Sequence, residues 1–275
     1  MSGKLPAAFG SADPAQLKKV RGVCLDIDDT LSTHGKLTAQ AFSALWKLKE
    51  SGLAVVPVTG RPAGWCDHLA RFWPVDAVIG ENGAFSTFMQ DGKLKKVLTP
   101  GADPQSQARL KSLGEAVRKR FPKAQWASDQ PYREFDLAID FCEDVTSWSE
   151  ADVATLVDLC QAEGAHAKVS SIHVNAWFGD YDKQAGLRHW LSIGAPGLKS
   201  APQNAGIPGW DEWLFIGDSP NDEPLFQAFE LSVGVANLKR FLPRLKHPPT
   251  WMTQGESGAG FTEMVEGLLS ARSLA

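Results

Sequence analysis

The chain has 275 residues and a mass of 29.8 kDa, with 28 basic against 32 acidic residues and a net charge of −4. Hydrophobic residues are 43% and charged residues 22%, which excludes wholesale disorder and a fibrous repeat, and the charge balance gives no reason to expect nucleic acid or an anionic membrane as partner. No apolar run approaches the roughly 18 residues of a membrane span, and residues 1–14 lack the apolar stretch of an export signal, so a cytoplasmic protein is expected, with free thiols at Cys24, Cys66, Cys142 and Cys160.

A polar lead-in ends in a short helix at Pro14–Lys19, and Val20–Ile27 then reads as a buried strand. Leu37–Ser51 is an amphipathic helix with Phe42, Leu45, Trp46 and Leu48 on one side and Gly52 as its stop. Leu53–Val58 is a second strand, Ala63–Phe72 a helix ended by Pro74, and Val75–Ile79 a third strand. Alternating strands and helices with continuous apolar strands predict a parallel sheet covered on both faces. The pattern then changes. Ala84–Gln90 and Lys93–Leu98 flank the turn pair Asp91-Gly92, and a long helix follows over Pro104–Phe121. Phe135–Phe141 is a strand, Glu150–Glu163 a helix, and Ala167–Phe178 one or two strands. After residue 181 the first style returns, with helices at Lys183–Ile193, Asn221–Phe229 and Gly260–Ala271, strands at Trp213–Ile216 and Leu231–Ala236, and loops at Pro202–Pro208 and Pro243–Pro249. The two ends therefore build one α/β domain, residues 1–84 with 181–275, and residues 85–180 are an inserted α+β domain.

Chemistry concentrates where strands end. Asp26-Ile27-Asp28-Asp29-Thr30 puts three carboxylates within four positions at the carboxyl edge of the sheet, where ligands bind in open α/β folds. Like charges so crowded call for a cation, and oxygen-only donors favour Mg²⁺. An EF-hand is a poor match, since its sixth position would be Leu31 and its twelfth Leu37. The second strand ends in Thr59-Gly60-Arg61, and Trp213–Ile216 ends in Gly217-Asp218-Ser219-Pro220-Asn221-Asp222. Taken singly, Asp218 or Asn221 would serve equally as a helix cap. Their convergence with residues 26–30 points to an active site. In the insert, alternation puts Ser171, His173 and Asn175 on one face, either to meet a substrate's hydroxyls or as an ordinary wet sheet face. Arg133 would clamp an anionic group or form a surface ion pair, and His173 lacks partners at metal-ligand spacing.

Asp26-x-Asp28-x-Thr30, Thr59, Lys183 and Gly217-Asp218-x-x-Asn221-Asp222 resemble the four motifs of the haloacid dehalogenase superfamily of phosphotransferases, in order and on the expected elements. Glu81-Asn82-Gly83-Ala84 resembles the family's turn into a cap, and the insert's place and α+β character are similar to its type IIB cap subclass, which includes Cof-like and sugar-phosphate phosphatases. The resemblance implies a Rossmann-like core with an inserted cap. It implies Asp26 as nucleophile, Asp28 as general acid–base, Thr59 and Lys183 at the phosphoryl group, and Mg²⁺ on the carboxylates of Asp26 and Asp218 and the Asp28 carbonyl, with Asp222 and Asn221 supporting the metal or Lys183. Without the resemblance, Lys183 reads as a solvated lysine. Gly60, Arg61, Asn82, Arg133, His173, Asn175 and Asn221 are the candidate substrate contacts. One departure is Asp29, where the family usually has Gly. The expected function is a Mg²⁺-dependent phosphatase acting on a small phosphorylated metabolite, a sugar phosphate, as a monomer or weak homodimer. The alternatives are a phosphomutase and a non-catalytic phosphate sensor.

Overall fold

The computed structural model describes residues 5–199 and 207–273, so most of the loop expected at Pro202–Pro208 lies outside the described residues. The chain starts with strand β1 (Ala7–Ala8), helix α1 (Pro14–Leu17), β2 (Gly22–Leu25), α2 (Ala39–Glu50), β3 (Ala54–Pro57), α3 (Ala63–Phe72) and β4 (Ala77–Gly80). The middle holds β5 (Phe85–Gln90), β6 (Lys93–Leu98), α4 (Gln107–Arg120), β7 (Gln125–Trp126), β8 (Asp136–Asp140), α5 (Glu150–Ala162), β9 (His166–Val169) and β10 (His173–Trp177). It closes with α6 (Lys183–Ser192), β11 (Trp213–Gly217), α7 (Glu223–Ala228), β12 (Ser232–Gly234), β13 (Trp251–Met252) and α8 (Ser257–Ser273).

The main sheet runs β1-β13-β12-β11-β2-β3, every pair parallel, so strands from both ends of the chain lie side by side. Its strands are apolar throughout because their side chains alternate between two cores. Val23, Leu25, Val55, Leu214 and Ile216 pack under α2 and α8 with Leu45, Leu48, Phe261 and Leu268. Cys24, Val56, Trp213 and Phe215 pack on the other face with Leu187, Trp190 and Phe226. Each such fully buried side chain contributes about 1.5–3 kcal/mol by removal from water. A bridge between Val58 and Ile79 joins β4 to this sheet, and the antiparallel hairpin β5–β6 pairs onto β4. The hairpin at residues 85–98 thus extends the parallel sheet.

A separate antiparallel sheet, β7-β8-β10-β9, is made within residues 125–177. One face carries Leu137, Ile139, Val174 and Ala176 against Leu110, Leu113 and Val117 of α4 and Leu156 of α5. Alternation turns Asp136, Asp140, His173 and Asn175 to the opposite face, and all four are buried. This face is therefore covered, rather than half-exposed to water.

Several boundaries differ from the sequence reading for local reasons. The helix expected from Asn221 splits into a 3₁₀ turn, Pro220–Asp222, and α7, with a proline in the first turn of each, where no N–H is missed. The loop expected at Pro243–Pro249 overlaps a 3₁₀ turn at Leu242–Arg244. β1, β7 and β13 have two residues each, too few to show a period. The four cysteines are unpaired, and no helix among the described residues is long and apolar enough to cross a membrane.

Candidate active site

Strands β11, β2 and β3 are neighbours, so the segments that follow them share one edge. The Asp26 N–H donates to the Ile216 carbonyl at 2.9 Å, carrying the ladder one residue past β2 and fixing Asp26 next to the loop at 217–222. Asp222 closes that loop: its Oδ2 accepts from the N–H of Asp218 (3.0 Å) and of Ser219 (3.2 Å). Gly217 makes this possible, because a Cβ there would lie 2.5 Å from Asp222 Oδ2. Asn221 is tied down by Ser219, whose Oγ donates to Asn221 Oδ1 at 2.6 Å.

Lys183 is the first residue of α6, whose N-cap Asp182 accepts from the Ala185 N–H. Helix α6 starts hard against the turn at Glu81–Gly83. Gly83 has φ +107, and a Cβ on it would stand 1.9 Å from the Asp182 carbonyl oxygen, so only glycine lets the helix come this close. The result is a lysine only 1% exposed, with Nζ 2.7 Å from both Asp26 Oδ1 and Asp222 Oδ1. The solvated-lysine reading is excluded. Burial works against its charge, but Asp222 and Asp26 outweigh it and raise its pKa.

Asp26, Asp218 and Asp222 each bring one carboxylate oxygen to within 4.8 Å of the others, and all three are buried. Burial pushes the Asp26 carboxyl far above the usual carboxylate range; Lys183 opposes this, and Asp222 and Asp28 add to it. Burial, then Asp26 and Asp222, likewise raise Asp218. One lysine cannot balance three carboxylates. The donor set is oxygen only, compact and over-charged, which fits a hard divalent cation such as Mg²⁺. The Asp28 carboxylate lies outside this triad and faces Arg61.

Asp28 and Arg61 form a fork: Arg61 Nε lies 2.9 and 3.0 Å from the two carboxylate oxygens, and Nη2 lies 2.7 Å from Oδ1. Arg61 also reaches Asp129 (3.2 Å) and Glu143 (3.1 Å), which belong to the middle segment. His173 Nε2 is 2.8 Å from Glu143, and that contact, with Arg61, holds the Glu143 carboxyl down at about 2 against the opposing effect of burial. Arg133 is not a surface ion pair. Its side chain is 1% exposed, bonded to Asp129 and Asp136 and to the Gly60 carbonyl at 2.8 Å. Asn82 and Asn175 both donate to Asp136 Oδ2, at 3.3 and 2.9 Å. Asp26, Asp28, Gly60, Arg61, Arg133, His173, Asn175 and Asn221 line one cavity of about 10 Å³, room for roughly one water. Thr59 is fully buried beneath it, its Oγ1 accepting from the Arg61 N–H at 3.0 Å.

Asp29 adopts φ 55, the left-handed region that glycine enters without cost. Its carbonyl accepts from Asn237 Nδ2 at 3.0 Å, and the same Nδ2 donates to Asp218 Oδ2 at 3.3 Å. The loop thus keeps a glycine-like turn with an aspartate in it. Asn237, Asp129 and Glu143 were missed by sequence reasoning, as was the role of Glu81. The Glu81 carboxylate accepts from the N–H of Ala63, Glu134, Phe135 and Asp136 and stitches the two parts together. The only linear signal was Glu81's place in the Glu81–Ala84 turn.

Known proteins resemble this chain in sequence and in fold. The family model for haloacid dehalogenase-like hydrolases matches residues 23–127, which hold Asp26, Asp28, Thr59 and the Glu81–Ala84 turn. A phosphoglycolate phosphatase of Halorubrum lacusprofundi is 29% identical over 220 residues, covering 78% of this chain and 84% of that protein. Among solved structures, the C-terminal domain of a trehalose-6-phosphate phosphatase from C. albicans superposes with a TM-score of 0.69 at 13% identity, covering 100% of both chains. A haloacid dehalogenase-like hydrolase from Bacteroides thetaiotaomicron gives 0.61 at 15% identity, covering 90% of this chain and 98% of that one.

Proposed function

We propose that this chain is a phosphatase of the haloacid dehalogenase-like hydrolases and that it hydrolyses a small phosphomonoester, a sugar phosphate, by Mg²⁺-dependent phosphoryl transfer through Asp26, a reading supported by the family-model match and the phosphoglycolate phosphatase relative. The observation that carries the reading is the buried cluster in which Lys183 Nζ stands 2.7 Å from Asp26 and from Asp222, beside Asp218.

Asp26 Oδ attacks phosphorus and the ester P–O bond breaks. Asp28 gives its proton to the departing alcohol oxygen, then takes one from the water that attacks the acyl phosphate; inorganic phosphate leaves and the Asp26 carboxylate is restored. Lys183 holds Asp26 in place and offsets the charge of the incoming phosphoryl group. Asp26 and Asp218, with Asp222 in support, would hold Mg²⁺, which would supply the charge neutralisation that lets an anion attack an anion. The fork occupies both Asp28 carboxylate oxygens, so Arg61 must turn to the substrate before Asp28 can reach the departing oxygen. The one-water cavity requires the middle segment to swing away for substrate entry. On this reading residues 85–180 are the specificity cap, with the hairpin at 85–98 seated on the core sheet. Arg61, Arg133, His173 and Asn175 then meet the substrate's oxygens. A monomer or weak homodimer in the cytoplasm completes the proposal, consistent with four unpaired cysteines.

The test is phosphate release from a panel of hexose, pentose and triose phosphates, phosphoglycolate and an aryl phosphate, with Mg²⁺ and with chelator. Release confined to the Mg²⁺ arm, with a sugar phosphate preferred, is expected. Isomerisation of hexose phosphate without release would favour the mutase, and release unaffected by chelator would contradict the metal assignment.

A further inference from the structure

Beside the catalytic cavity lies a second and much larger one, about 490 Å³, in the crevice between the middle segment and the 3₁₀ turns after β12. The two cavities share Ser171 as a wall. Phe141, Trp148, Val153, Val157 and Phe241 give the crevice a mainly apolar lining, and Arg240 stands over the Phe241 ring at 4.6 Å. The catalytic cavity has no space for a leaving group, whereas the crevice has the volume of a small-molecule site.

The geometry points to this crevice as the leaving-group pocket, taking a flat ring at the far end of the substrate's sugar, the architecture of a nucleoside 5′-monophosphate. The inference rests on the phosphatase reading above and narrows its substrate class. The phosphoryl group meets Asp26 and Lys183, the sugar hydroxyls meet His173 and Asn175, and the ring passes Ser171 to lie among Phe141, Trp148 and Phe241. An aromatic platform with an arginine plane beside it suits a heteroaromatic ring, because every such ring offers a π-face. A bare sugar phosphate leaves this apolar surface to water. Phosphoglycolate is smaller still.

The experiment compares kcat/KM for the four ribonucleoside 5′-monophosphates, ribose 5-phosphate and p-nitrophenyl phosphate in the wild type, Trp148→Ala and Phe241→Ala, all with Mg²⁺. At least one nucleotide is expected to exceed ribose 5-phosphate by about tenfold or more, mainly through KM, as the loss of one stacking contact would predict. Each variant is expected to lower that preference about fivefold, with ribose 5-phosphate turnover kept within about twofold, and two separate positions guard against one variant misfolding. Equal efficiency on nucleotides and ribose 5-phosphate, or variants that lower both alike, would overturn the crevice assignment while the phosphatase reading stands. No phosphate release from any of the six compounds would overturn that reading and the crevice with it.

Discussion

Asp26→Asn is expected to reduce Mg²⁺-dependent hydrolysis of an aryl phosphate by at least about 10⁴-fold, the scale on which loss of a nucleophile falls, with little change in thermal unfolding. The size of the effect follows from chemistry: an amide cannot form the acyl phosphate, and on the proposed route no other group near Lys183 takes the phosphoryl group. The survival of the fold follows from electrostatics. Asparagine keeps an oxygen that can accept from Lys183 Nζ and removes one of three carboxylates packed within 4.8 Å. Asp26 is disfavoured as an anion by burial, so neutralising it does not leave a new unsatisfied charge. Steady-state turnover and a melting curve for the variant check both halves. A variant that still turns over at wild-type rate removes Asp26 as nucleophile.

Lys183→Met is expected to be damaging in both respects. It removes the cation that two carboxylates share at 2.7 Å and leaves three buried acids facing one another. Breaking a buried pair in this way costs about 3–5 kcal/mol. In chelator the variant should therefore melt well below the wild type. Adding Mg²⁺ should recover part of the loss, because a bound cation stabilises the folded state by mass action and relieves the same repulsion. Activity should fall about 10²–10³-fold even with saturating Mg²⁺, the usual effect of removing one fixed positive donor from a charge-developing site. Unfolding with and without Mg²⁺ separates the two contributions. A variant as stable as the wild type in chelator would show that Lys183 does not offset the triad.

The parts of this arrangement legible in the sequence were those set by local rules. β2, β3 and β11 are continuous apolar runs, and each ends in a polar motif, so the edge that collects Asp26, Thr59 and Asp218 followed from strand direction alone. Lys183 could be placed only by resemblance; its burial depends on Gly83, a hundred residues earlier, leaving room for the start of α6. The alternation through His173 and Asn175 was read correctly, but nothing linear marked whether that face met water or the core sheet. Charged contacts across the cleft were the least legible. Arg61 meets Asp129 and Glu143 at separations of 68 and 82 residues, and such pairs follow from how two sheets dock, not from any period. The hairpin at 85–98 shows the same limit. Its turn was evident from Asp91-Gly92, but its pairing onto β4 is a tertiary choice.

The most direct test of the central claim is to trap the phosphoryl group. Turnover of an aryl phosphate with Mg²⁺ is quenched, the protein is reduced with borohydride, which converts an acyl phosphate but not a free carboxylate, and the peptides are mapped by mass. The account predicts conversion of Asp26 to homoserine, dependent on substrate and Mg²⁺ and absent in Asp26→Asn. Full turnover with Asp26 unmodified in every quenched sample would contradict it.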